Sequence, residues 1–159
     1  MNKITPDVER LAERLRLRGE KLATAESCTG GLVAKLLTDL PGSSDWFERG
    51  LITYSNAAKQ DLLGVPAATL EMHGAVSRQT VEAMAAGLLA RAPVQWALAI
   101  TGIAGPSGGS SEKPVGLVWI ACGGKAGVVA EQHRFAGDRG SVREQAAAAA
   151  LNLLLKSLK

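Results

Sequence analysis

The chain has 159 residues, 47% of them apolar and 21% charged, which fits a single globular domain spanning 1–159. Its formal charge of +3 is dispersed over 18 basic and 15 acidic residues, so it offers nucleic acid no basic stripe and only mildly favours a small anionic substrate. The two cysteines, Cys28 and Cys122, and the two histidines, His73 and His133, form neither a disulfide framework nor a ligand spacing, so no zinc site is expected.

No apolar run approaches the ~20 residues of a membrane span. Asp7, Glu9 and Arg10 stand where a signal peptide would be apolar, so no membrane partner and a cytoplasmic location are expected.

Thr5-Pro6-Asp7 reads as a helix start, Val8, Leu11, Ala12 and Leu15 share one face, and Gly19 can stop the helix. Lys21 to Ala25 reads as a strand running into Glu26-Ser27-Cys28-Thr29-Gly30-Gly31. A helix follows on Leu32, Leu36, Leu37 and Leu40. Such a strand–turn–helix aims amides and hydroxyls at one point, where the helix dipole favours an anion. Ser43 and Ser44 cap a short turn through Glu48, and Leu51 to Tyr54 is a strand. Ser55 or Asn56 caps a helix carrying Lys59, Leu62 and Leu63, a short helix covers Pro66 to Met72, and Ser77 starts a longer one.

Val94 to Thr101 is the central strand. It ends in Thr101-Gly102-Ile103-Ala104-Gly105-Pro106-Ser107-Gly108-Gly109, which fits neither G-x-G-x-x-G nor a P-loop. Val115 to Ala121 and Val128 to Phe135 form a hairpin through Gly123-Gly124-Lys125. Ser141-x-x-Glu144 reads as a capping box before an alanine-rich last helix. About five strands and five or six helices imply a three-layer α/β/α domain with a mixed sheet.

For chemistry, a serine needs a base. Neither histidine stands near a serine-rich turn, so Lys59 is the candidate, provided that burial lowers its pKa. Ser44, Tyr54 and Lys59 meet if a strand and a turn bring two helix caps together. Cys28, at a strand–helix junction, is the rival nucleophile. Arg139 or Arg143 can hold a phosphate through the planar guanidinium. A non-catalytic nucleotide-binding module is the alternative to an enzyme.

Several segments carry more than a generic pattern. They are Thr24-Ala25-Glu26-Ser27-Cys28-Thr29-Gly30-Gly31, Gly42-Ser43-Ser44-x-Trp46-Phe47-Glu48-Arg49-Gly50 and Thr53-Tyr54-Ser55-Asn56-x-x-Lys59, together with His73-Gly74-Ala75-Val76-Ser77, Thr101-Gly102-Ile103-Ala104-Gly105-Pro106, Lys113-Pro114-Val115-Gly116 and Gly137-Asp138-Arg139. In this order they resemble the CinA C-terminal domain family, in particular its stand-alone nicotinamide-nucleotide amidases.

The resemblance implies cofactor-free, metal-free hydrolysis of the carboxamide of nicotinamide mononucleotide to nicotinate mononucleotide and ammonia. It implies Ser44 as nucleophile, Lys59 as base and Tyr54 as the assisting hydroxyl. Ser27 and Thr101 match polar residues lining the site, and Arg139 or Arg143 would hold the substrate; Thr29, Gly30, Gly31 and Gly102 are further substrate-binding candidates, with the Gly30-Gly31 or Gly102 loop expected to supply oxyanion donors. A homodimer is the implied assembly. The pyrophosphatase activity of the longer relatives is not expected.

Overall fold

The computed structural model describes residues 4–159, with side chains described from Pro6 onward. The reading of Thr5 as a helix cap lies outside the described side chains. Helix α1 (Ile4–Arg18) leads into strand β1 (Leu22–Glu26) and helix α2 (Leu32–Thr38). A 3-10 turn (Ser43–Asp45) precedes β2 (Phe47–Ile52), and α3 (Asn56–Leu63), α4 (Ala67–His73) and α5 (Arg78–Arg91) follow. Then come β3 (Trp96–Gly102), β4 (Leu117–Gly124), β5 (Gly127–Arg134) and α6 (Arg139–Ser157). Among the described residues this gives five strands and six α-helices. No helix among them is long and apolar enough to cross a membrane.

Several element ends differ by a few residues from the sequence reading, and two of the differences bear on the site. Strand β2 begins at Phe47, inside the expected turn, and ends before Tyr54. It is an edge strand without an alternating pattern, and its extent is set by pairing with β1 from Leu22↔Phe47 to Glu26↔Ile52. The capping box gives way to Asp138, whose carboxylate accepts from the Ser141 amide at 2.9 Å, so α6 starts at Arg139.

The sheet order is β2-β1-β3-β4-β5. Strand β1 is parallel to both β2 and β3, whereas β3–β4 and β4–β5 are antiparallel. Alternation along the strands sorts side chains by size. Leu22, Leu98, Ile100, Val118 and Ile120 face α1, α2 and α6 in one core. Ala23, Ala25, Ala97, Ala99 and Ala121 face α5 in the other. Small side chains on that face let α5 lie close to the sheet. Gly87 continues the pattern, because a Cβ there would run into the Leu63 carbonyl at the end of α3.

This topology places the site. From β1 the chain leaves through α2 on one face, and it reaches β3 through α3 to α5 on the other. The C-terminal ends of these neighbouring parallel strands therefore bound a crevice of the kind in which α/β sheets bind ligands.

Candidate active site

A cleft of about 280 Å³ opens at that edge. Ser27 and Cys28 enter it from the end of β1, Tyr54 and Lys59 from beyond β2, and Thr101 and Gly102 from the end of β3. The segment Ala75–Val76, the loop after β3 and Arg139 complete its walls. Thr101 Oγ1 donates to the Ala75 carbonyl at 2.8 Å, tying that wall to the sheet.

Lys59 is the central feature. Its side chain is 1% exposed, although it lies on a short helix with solvent-facing neighbours. Ser55 caps α3 by accepting from the Ala58 amide, which fixes the first turn and aims Lys59 inward. The Nζ atom donates to the carbonyls of Thr53 at 3.0 Å and Tyr54 at 3.2 Å, and it lies 3.2 Å from Ser27 Oγ. Burial lowers its pKa from the ordinary 10.5, against a weaker opposing influence from Cys28.

These contacts make two hydrogen patterns. An ammonium donates to both carbonyls and to Ser27, whose own hydroxyl then turns to the Tyr54 carbonyl 3.4 Å away. A neutral amine spends its two hydrogens on the carbonyls and presents its lone pair to the Ser27 proton.

Ser44 is not in this cleft. It is exposed in the turn before β2, whereas Lys59 follows β2. The six residues of that strand span about 20 Å at ~3.3 Å per residue. Beside Ser44, Asp45 pairs with Arg16 at 3.5 Å, and the Trp46 carbonyl accepts from Leu22 at the start of β1. Ser44 thus belongs to the opposite end of the sheet, and the serine that meets Lys59 is Ser27. The rule that parallel strands present chemistry at their C-terminal ends separates the two serines.

Tyr54 meets Lys59 through its main-chain carbonyl. Its hydroxyl accepts from Arg139 Nη2 at 3.1 Å, and Arg139 Nη1 donates to the Gly105 carbonyl at 2.8 Å. Arg139 therefore lines the cleft, while Arg143 lies behind the turn after β1, donating to the carbonyls of Cys28 and Thr29.

The turn after β1 differs from an anion-binding loop. Glu26, 1% exposed, sends its carboxylate onto the start of α2 and accepts from the amides of Gly31, Val33 and Ala34 at 3.2, 2.9 and 3.0 Å. The Gly30 amide donates to the Ser27 carbonyl. The protein's own carboxylate occupies the site that the dipole argument reserved for a ligand. Glu26 was visible in the sequence only as part of a motif, and its spacing of five to eight residues before the capped amides was the available signal.

Cys28 also departs from expectation. Its thiol is buried and pushed up to about 11, chiefly by burial, so the thiolate is scarce at neutral pH. Cys122, likewise free and buried, is pushed up to about 11 by the same cause.

A wider hollow of about 710 Å³ lies beyond the 73–77 segment, lined by residues including Arg78, Lys113 and Trp119. It contains neither Ser27 nor Lys59, so volume alone does not locate the chemistry. Among the described residues no three His, Cys, Asp or Glu side chains gather as metal ligands.

A buried lysine set against a serine hydroxyl in a polar crevice of a mixed α/β sheet defines the class: an α/β domain with a Ser–Lys pair at its strand ends. Residues 5–158 match the CinA C-terminal domain family, and the chain belongs to that family. It is 54% identical over 143 residues to the nicotinamide-nucleotide amidohydrolase PncC of Enterobacter agglomerans, covering 89% of this chain and 87% of that one. A CinA-like protein of Syntrophobacter fumaroxidans is 57% identical over 148 residues, 93% of this chain but 35% of its own length. The crystal structure of the competence/damage-inducible protein CihA of Agrobacterium tumefaciens superposes with a TM-score of 0.96 at 44% identity, over 99% of this chain and 96% of that one.

Proposed function

We propose that the chain is a serine amidohydrolase that hydrolyses the carboxamide of nicotinamide mononucleotide, with Ser27 as nucleophile and Lys59 as general base. The substrate comes from the name of the amidohydrolase relative. The observation that carries the chemistry is Ser27 Oγ at 3.2 Å from a buried Nζ whose other two contacts are carbonyls.

In this reading neutral Lys59 takes the Ser27 proton as Oγ attacks the carboxamide carbon. Amides of the loop after β3 are the candidate donors for the oxyanion, because those of Gly30 and Gly31 are already engaged. Lys59 returns the proton to the leaving ammonia. Water, deprotonated by the same amine, then releases nicotinate mononucleotide and regenerates Ser27. The carbonyls of Thr53 and Tyr54 orient the amine, and Arg139 with the Tyr54 hydroxyl is the candidate grip on the substrate's anionic end. We carry the cytoplasmic homodimer as an expectation, and light scattering showing a monomer would remove the dimer.

The deciding experiment is ammonia release from nicotinamide mononucleotide, with EDTA present, by wild type, Ser27→Ala and Ser44→Ala. We expect Ser27→Ala to lose at least about 10³-fold and Ser44→Ala to stay within about twofold. Loss in Ser44→Ala alone would reverse the assignment. Nucleotide binding without turnover by the wild type would favour a non-catalytic module.

A further inference from the structure

The reaction above leaves one built feature unused, the pair of charged side chains that hold the turn after Ser27. Glu26 fastens the far side of that turn to α2 through three amides. Arg143, reaching across from α6, fastens the near side. Its Nε donates to the Cys28 carbonyl at 3.1 Å and its Nη2 to the Thr29 carbonyl at 2.9 Å.

The two carbonyls belong to the residues directly after the nucleophile. Thr29 also accepts from the Leu32 amide, whereas Arg143 is the donor that satisfies Cys28 among the described residues. Cys28 and Thr29 are both buried, so loss of the guanidinium leaves the Cys28 carbonyl without its protein donor unless the turn shifts or water enters. Gly30 makes the fit close, because a Cβ there would stand 3.3 Å from Arg143 Nη2. Two donors in a fixed planar fork match two successive carbonyls in a way that a single ammonium does not.

We propose that Arg143 is a positioning residue for the reaction. By holding the Cys28 and Thr29 carbonyls it keeps Ser27 Oγ on Lys59 Nζ, and it does not hold the substrate. The proposal rests on the Ser27–Lys59 reading. Its leverage comes from geometry: a misplacement of about 1 Å at a reacting atom can cost on the order of 100-fold in rate.

The test uses Arg143→Met and Arg143→Lys in the full chain, with two readouts. The first is steady-state ammonia release from nicotinamide mononucleotide. The second is modification by phenylmethylsulfonyl fluoride, read by intact mass and peptide mapping. In that step Ser27 Oγ bonds to sulfur, the S–F bond breaks, the hydroxyl proton passes to Lys59 and fluoride leaves. The second readout needs no nucleotide and reports the Ser27–Lys59 pair without substrate.

For Arg143→Met we expect kcat and the sulfonylation rate to fall together by about 10- to 100-fold, with KM within threefold of wild type. Arg143→Lys should recover part of both, as should millimolar guanidinium ion added to Arg143→Met. A KM raised tenfold or more at unchanged kcat and unchanged sulfonylation would overturn the proposal and return Arg143 to the substrate. Unchanged values throughout would also overturn it. If Arg143→Met does not fold, judged by circular dichroism, Arg143→Lys carries the same kcat-against-KM test. Sulfonylation of the wild type at a residue other than Ser27 would overturn the nucleophile assignment itself, and this proposal with it.

Discussion

At the residue scale, Lys59 links stability to chemistry. Burial of its amine lowers the pKa, and the same burial makes the lone pair available to Ser27. As the proposed base Lys59 must be neutral, so kcat/KM should rise with pH through the lowered pKa and then level off. A profile that falls over that range would remove Lys59 as base.

The same shift sets a stability signature. The folded pKa lies below the unfolded value, so between the two the unfolded chain holds a proton that the folded chain lacks. Stability therefore rises with pH across that window, and the cost of burying the amine is fully present below the folded pKa. Compared with Lys59→Met, the wild type should gain stability as pH climbs toward 10.5, by about 1.4 kcal/mol for each tenfold depression of proton affinity. Denaturant titrations of both proteins at several pH values measure this.

At the element scale, glycines separate packing from chemistry. Gly87 lies in α5 against the last carbonyl of α3, away from the cleft. Gly87→Ala should cost about 1–3 kcal/mol of stability, as an overpacked contact does, and leave kcat near wild type. Gly102 ends β3 inside the cleft. A Cβ there would stand 2.7 Å from Val118 Cγ2, 2.9 Å from the Leu117 carbonyl and 3.1 Å from Cys28 Sγ. Gly102→Ala should cost a similar amount of stability and also lower kcat at least tenfold, because the displaced Cys28 adjoins Ser27. Thermal melts with kinetics on both variants decide this, and equal kinetic behaviour would refute the distinction. Helix α2 fits the same scheme, since its N-terminal amides are satisfied by Glu26 from the preceding strand.

At the scale of the whole molecule, two cores sandwich one sheet, and the cleft forms where β1, β3, the loop after β3, α3 and α6 converge. A ligand bound there touches segments from both halves of the chain and should stabilise the fold as a unit. Nicotinamide mononucleotide at 100 times its Kd should add about 2.7 kcal/mol to the Ser27→Ala variant. For a domain of this size that is a rise of roughly 5–11 °C in Tm. Differential scanning fluorimetry reads it directly. No rise, in a variant that folds, would argue against this nucleotide as substrate.

The sequence by itself determined the element order, the mixed sheet, the two glycine-rich loops and the family. Those follow from periodicity, turn residues and motif order, which are local. Through the family resemblance it also marked Tyr54, Lys59 and Thr101, which the fold brings into the cleft, and it left Arg139 and Arg143 as alternatives.

Which serine meets Lys59 was decided by tertiary structure alone. Ser27 and Ser44 both sit in small, polar, glycine-flanked turns, and Ser44 is nearer to Lys59 in sequence. Parallel pairing of β1 with β2 puts the start of β2 at the far edge and the end of β1 beside Lys59. Tertiary structure likewise set Arg143 behind the turn, because its bonds to Cys28 and Thr29 join residues more than a hundred positions apart, whereas the Glu26 bonds to the α2 amides span only five to eight. Burial, which no local pattern records, is what makes Lys59 a candidate base and Cys28 a poor nucleophile.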